Sequence, residues 1–224
     1  YGERVPLLWE MIINDDLDAL RDLPNRMAQG AADTEDYLAT ALFVIAAGPN
    51  TAFFKAGNNN AQVTGGTTAL SVDSLTAGLA AVGQRKDSEG RPIAVRAYKL
   101  MVPPALAPTA NNIVNATKIR VTQGSNEVEV NNWLAGNVQV VENPWIPIID
   151  TSGTVNTRWY LLPDPGSDRP AGVLGFLRGH ENPDIRVKAD TGSRIGGGAI
   201  APEEGSFDID DIQYRIRHVT GGTT

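Results

Sequence analysis

The stretch from Asp15 to Ile45, DDLDALRDLPNRMAQGAADTEDYLATALFVI, most limits what this chain can fold into. Apolar or small residues recur at Leu20, Leu23, Met27, Ala31, Leu38, Leu42 and Ile45, a spacing that lines one face of a helix. Arg21, Asn25, Arg26, Gln29, Asp33 and Asp36 fill the opposite face. Pro24 would break a helix in its interior but suits a first turn. The pattern predicts a short helical turn from Leu17 and a long helix from Pro24 to Ile45, ended by Gly48-Pro49. At about 1.5 Å per residue that helix spans roughly 33 Å, the width of a small domain. It is a scaffold element, and nothing on it carries chemistry.

The segments around it supply partners. Tyr1 to Asn14 holds a mostly apolar run, Val5 to Ile13, interrupted by Glu10, which reads as a buried strand or extended segment leading into the helix. The polar, glycine-rich Gly57 to Thr68 reads as a surface connection or a domain boundary. Ser71 can cap a second helix with Asp73 in its first turn; Leu75, Leu79 and Val82 line one face, and Arg85 and Lys86 lie at its end. A turn, Asp87 to Pro92, precedes a strand from Ile93 to Val102 that Pro103-Pro104 stops, and a short helix follows from Pro104 to Val114. From Ile119 the chain becomes a series of short alternating segments, IRVTQ, EVEV, VQVVEN, RWYLL, VLGFLRG and DIRVKA, separated by turns. The last is Phe207 to Val219, a long part-buried strand with Ile209, Ile212, Tyr214 and Ile216 on it. Helix, turn, strand and helix within about 40 residues suggest an α/β or α+β layer.

Chemistry is scarce. The chain has 224 residues, a net charge of -7 and no cysteine, which excludes disulfides, thiolate metal sites and cysteine nucleophiles. No apolar run reaches the length of a membrane span. The acidic balance and the absence of a clustered basic face predict weak DNA contact without sequence preference. His180 and His218 are far apart; Glu181 and Asp184 beside His180 could ligate a metal, but a charged turn capping two strands explains them better. Gly196-Gly197-Gly198 lacks the Lys-Ser or Lys-Thr of a phosphate loop and reads as a flexible loop. Asn115-Ala116-Thr117 matches a glycosylation acceptor, too common a motif to weigh. No serine sits in a nucleophile elbow, and the carboxylates fall at caps, turns and strand faces, so no acid/base pair stands out. Neither a catalytic residue nor a cofactor is expected. Trp9, Trp133, Trp145 and Trp159 are spread evenly and suit core or interface anchors.

The order of elements resembles the major capsid protein of tailed bacteriophages, specifically the Mu-like major head subunit family. The resemblance rests on YGERVPLLWEMIINDDLDAL running into the long helix, on LSVDSLTAGLAAVGQRKDSEGRPIAVRAYKLMVPPAL and GNVQVVENPWI, and on RWYLLPDP and GFLRGHENPDIRV followed by FDIDDIQYRIRH. These stretches cover nearly the whole chain. The resemblance implies an α+β fold of the tailed-phage and herpesvirus type, with a long spine helix, a peripheral domain and an axial domain. On this chain, residues 1–69 would begin the peripheral domain with the spine helix at 24–45. Residues 70–165 would form the axial domain, and 166–224 the returning peripheral strands.

It also implies a structural virion protein that self-assembles into pentamers and hexamers of an icosahedral shell around the DNA genome, built in the host bacterial cytoplasm. Portal, scaffold or maturation protease and decoration proteins would be its partners, with packaged DNA touched only non-specifically and no membrane. Two departures stand out. The family's N-terminal arm and most of its extended loop would lie upstream of Tyr1, and a chain opening on Tyr1 instead of Met reads as a processed product or fragment. The stretches Gln123 to Asn132 and Ile146 to Asn156 look like enlarged polar insertions in the axial domain, and Trp133 and Trp145 flanking them are the candidate interface residues. A receptor- or carbohydrate-binding β-rich virion module would explain the strands and tryptophans but not the helical first half. A hydrolase with a dispersed carboxylate site has no positive sign in the residues.

Overall fold

A computed structural model describes residues 1–8, 10–11, 14, 22–58, 60–61, 68–87, 89–93, 97–167, 170–188, 193–201, 208 and 211–224. The chain divides into two compact units, one of Tyr1–Leu38 with Leu174–Gly222, the other of Ala39–Val173 with Thr223–Thr224.

In the first unit, β1 (Gly2–Leu8) and β10 (Asp184–Val187) flank β11 (Asp211–Arg217) in an antiparallel three-stranded sheet. Alternation along each strand sends Val5, Ile185, Tyr214 and Ile216 to one face, where Leu23, Met27 and Ala31 of α1 (Leu23–Ala41) cover them. The helix face read from the sequence is thus the packed one at Met27 and Ala31, while Asn25, Arg26, Gln29, Asp33 and Asp36 are exposed and Leu38 is half-buried. Leu20 and the helical turn from Leu17 lie outside the described residues. A separate two-stranded sheet joins β9 (Val173–Phe176) to β12 (Thr220–Thr223), a strand of TGGT composition that no propensity announces.

Two expectations need correction here. The helix ends at Ala41, four residues short of Ile45. Phe43, Val44 and Ile45 are poor helix formers, and the chain turns at once: the Phe43 N–H donates to Thr40 O at 3.0 Å and the Asn50 amide to Leu42 O at 2.9 Å. Val44–Ile45 (β2) then pairs with Gly48–Pro49 (β3) as a tight hairpin. The opening segment is a strand, but of its described residues only Leu7 is buried and Val5 half-buried, whereas Leu8 and Met11 are about half exposed at 49 % and 48 %. β1 is an edge strand with one face on the helix, so alternate residues meet solvent.

The second unit is built on a sheet of order β7 (Val138–Glu142), β4 (Tyr98–Val102), β8 (Tyr160–Pro163). β4 is parallel to β7 and antiparallel to β8. It is covered on both faces: Tyr98, Leu100 and Val102 enter a cluster with α2 (Val72–Gly83) and α3 (Ala107–Asn115), and Met101 enters one with Phe43, Val44, Ile146 and Tyr160. That explains its near-continuous apolar run. The described strand begins at Tyr98; residues 94–96 of the expected longer strand lie outside the described residues.

Ser71 caps α2 as read, in a reciprocal box with Ser74. The expected helix from Pro104 begins as a 3-10 turn, Pro104–Leu106, and becomes α-helical only at Ala107. β5 (Lys118–Gln123) and β6 (Asn126–Asn131) form a hairpin around Gly124, whose φ of 64° suits glycine.

Candidate functional site

The groups that could perform chemistry do not converge. His180 lies exposed in the turn between β9 and β10, its N–H bonded to Leu177 O at 2.8 Å. Glu181 beside it accepts the Gly179 N–H at 2.9 Å, which holds its carboxyl below the usual range. Asp184 is taken by Arg186 at 2.6 Å and Arg217 at 3.4 Å. Among the described residues no group of three histidine or acidic side chains could hold a metal ion. His218 is buried in the first unit, with Nε2 2.6 Å from Glu35 Oε1 on α1 and its ring 5.7 Å from that of Phe176. It ties helix to strand and is too enclosed to meet a substrate. Gly196, Gly197 and Gly198 all take positive φ in a turn closed by the Ser193–Ala199 bridge, with Ile195 fully exposed at its tip.

The two stretches read as polar insertions differ from each other. Gln123 to Asn132 is the outer part of the β5–β6 hairpin. Its register puts Lys118, Arg120, Glu127 and Glu129 on one face, with cross-strand pairs Lys118–Glu129 at 3.1 Å and Arg120–Glu127 at 3.8 Å. Ile146 to Asn156 is buried at two points and exposed over much of the rest. It opens with a short helix, α4 (Ile146–Ile149), whose Ile146 is fully buried, and continues to Asp150, which is also fully buried. There Asp150 Oδ2 meets Arg158 Nη1 at 2.6 Å and Oδ1 accepts the Ser152 N–H at 2.9 Å. Trp145, at the head of α4, is half-buried. Trp133 is 46 % exposed, on the rim of a cavity of about 370 Å³ lined also by Thr76, Leu79, Ala80, Tyr98 and Asn137. Trp159 is structural: it packs on the larger core cluster and its Nε1–H donates to Thr68 O at 2.9 Å. Trp9 lies outside the described residues.

One feature contradicts the expectation that no basic residues cluster. The sheet of the first unit has its apolar face on α1, and its other face is cationic. Register places Arg4 of β1 opposite Arg215 of β11, and Arg215 opposite Arg186 of β10, so three arginines stand in one row across the strands. Arg217 lies two residues further along β11, and Lys188 follows β10 with its amide on Gln213 O at 2.8 Å. Arg4, Arg186 and Arg215 are exposed. Of the two carboxylates on this face among the described residues, Asp211 is buried and bonded by the Gln213 amide at 2.6 Å, and Asp184 is shared by two arginines. Hydrogen bonding from Arg186 holds the Asp184 carboxyl below its usual range, aided by the Arg217 and Arg215 charges. A local signal existed: RIR at 215–217 and RVK at 186–188 alternate basic residues at strand spacing. Arg4, over 180 residues away in sequence, could not be joined to them without the register.

Among the described residues no helix is long and apolar enough to cross a membrane. No curated protein matches the chain. A solved structure from Microbacterium phage Oxtober96 is similar, at 17 % identity and a TM-score of 0.47, covering 100 % of this chain. The chain spans 65 % of the length of that structure. The family model described as phage capsid protein matches residues 1–224. The chain therefore belongs to the phage capsid protein family.

Proposed function

We propose that this chain is a major capsid subunit that self-assembles into pentamers and hexamers of an icosahedral head enclosing DNA. The family match over residues 1–224 carries the reading, and it implies a structural role in the virion without catalysis. The helix from Leu23 acts as the spine. Residues 1–69 and 166–224 form the peripheral domain and 70–165 the axial domain. The pairing of β1 with β11, which joins the two ends of the chain, supports the shared peripheral part. Trp133 and Trp145 act as anchors between subunits, and the exposure of Trp133 beside an open apolar cavity supports its role. Portal, scaffold or protease and decoration proteins complete the assembly in the host cytoplasm.

Negative-stain microscopy of the full-length gene product tests this. Closed shells or tubes are expected, and monodisperse monomers under all assembly conditions overturn it. In Trp133→Ala the isolated subunit is expected to melt within a few degrees of wild type while shells fail to form. A collapsed melting temperature instead makes the residue core, and normal shells remove it from the interface.

A further inference from the structure

We infer that the outer face of the β1–β11–β10 sheet is a docking surface for a nucleic-acid phosphate backbone. The inference rests on the capsid reading for the identity of the polyanion and on the sheet for everything else. Strands are about 4.8 Å apart, so the row Arg4, Arg215, Arg186 spans roughly 10 Å across the sheet. Like charges directly opposite one another destabilise a sheet, and in a chain of net charge -7 their accumulation here is a local reversal of sign. Asp184, the exposed side's own counter-charge, is already divided between Arg186 and Arg217. The row therefore gains most from an external anion that contacts several guanidinium groups at once.

Two kinds of anion surface could do that, an acidic patch on a second copy or the backbone of DNA. The face itself favours the backbone. Protein interfaces set their arginines among apolar and aromatic anchors, whereas here the central row is arginine without an aromatic neighbour on the same face of the three strands. Among the described residues the large exposed apolar side chain on β1 is Leu8, at the strand's end. Arginine forks match phosphate oxygens, and phosphate contact carries no sequence information, which suits a wall facing any genome. The acidity of the rest of the chain keeps such contact weak and salt-sensitive.

The test is fluorescence anisotropy of a short labelled duplex of arbitrary sequence with the full-length protein over a salt series. The proteins compared are wild type, Arg4→Gln/Arg215→Gln, and Lys118→Gln/Arg120→Gln on the β5–β6 hairpin, with melts to confirm folding. Wild type is expected to bind at low salt. The Arg4/Arg215 variant should bind on the order of tenfold more weakly, with the slope of log affinity against log salt reduced by about two, and the hairpin variant should match wild type. Absence of wild-type binding at low salt, or equal binding by the folded Arg4/Arg215 variant, overturns the inference. If that variant keeps duplex binding but loses self-association in sedimentation, the face is an interface between copies, which also overturns it. Shells are scored separately by microscopy. Shells that form while the variant binds duplex normally defeat only this inference, and arginine-dependent duplex binding without shells defeats only the capsid-assembly reading.

Discussion

The two units solve the same problem, covering a three-stranded sheet, in different ways. The Ala39–Val173 unit buries its central strand on both faces, with Leu75, Leu100, Leu134, Ile146, Val44 and Val102 essentially inaccessible. The Tyr1–Leu38 and Leu174–Gly222 unit lays one helix on one face, with a core of Met27, Ala31 and Ile216, and leaves the other face to arginines. At about 25 cal/mol per Å² of apolar surface removed from water, the double-sided unit gains far more from burial. Its sheet is scaffold. The one-sided sheet gives up that stabilisation and keeps a face free for an electrostatic partner.

Three experiments can break or sharpen this contrast, beginning with the largest effect. Leu100→Ala, which empties space in the cluster that β4 forms with α2 and α3, should cost about 4 kcal/mol, and Met27→Ala about 2 kcal/mol because its site lies nearer solvent. Native-state hydrogen exchange should show β4 amides better protected than β11 amides in the wild type. A larger loss from Met27→Ala, or better protection of β11, contradicts the ranking.

Ion pairs give the next test. Asp150→Ala strands Arg158 and the Ser152 amide beside a fully buried position and should cost about 3 kcal/mol in denaturant titrations. Gly48→Ala should disturb the same pair, since a Cβ there would overlap the Arg158 guanidinium and the backbone φ is 123°. Asp184→Ala, its counterpart on the solvent face of the other unit, should shift the melting curve far less. Equal losses at Asp150 and Asp184 would show that burial does not separate the two sheets.

pH gives the smallest effect. Burial pushes the Tyr160 hydroxyl up to about 12, the nearby Arg158 charge opposing this and Asp150 reinforcing it. A raised value means the folded state holds the proton more tightly. The associated stability is therefore full below pH 10 and is lost as pH rises toward 12. Near-ultraviolet spectra in alkali should show the Ala39–Val173 unit loosening as Tyr160 ionises, and Tyr160→Phe should abolish that step. On the acid side, backbone and lysine hydrogen bonds lower Asp164 in that unit, and the Arg186 contact lowers Asp184 in the other. Both contributions are present above pH 3.8 and fade as pH falls below it, so acid should not distinguish the units.

What could be read from sequence followed from how local the signal was. The Ser71 cap, the Leu75 and Leu79 face, the Gly124 turn and the packed face of α1 at Met27 and Ala31 all depend on neighbours within a few residues. The same periodicity overran at Leu42 and Ile45, because apolar spacing cannot distinguish a continuing helix from a turn that delivers Phe43 and Val44 to another cluster. In the stretch Ile146 to Asn156 nothing local reveals that Asp150 is fully buried against Arg158. The candidate tryptophans were visible as large aromatics, but their differing exposure was not.

By itself the sequence determined a mixed helix-and-sheet fold, the long helix, most strands and, through the order of its motifs, a family that the match over residues 1–224 shows. Periodicity and caps are properties of adjacent residues, and the order of motifs survives without coordinates. Only the tertiary structure decided where α1 stops, which aspartate is buried, and that Arg4, Arg186 and Arg215 form one row. Those facts depend on strand register and long-range packing. A shift of β11 by one residue would turn Arg215 to the opposite face and break the row.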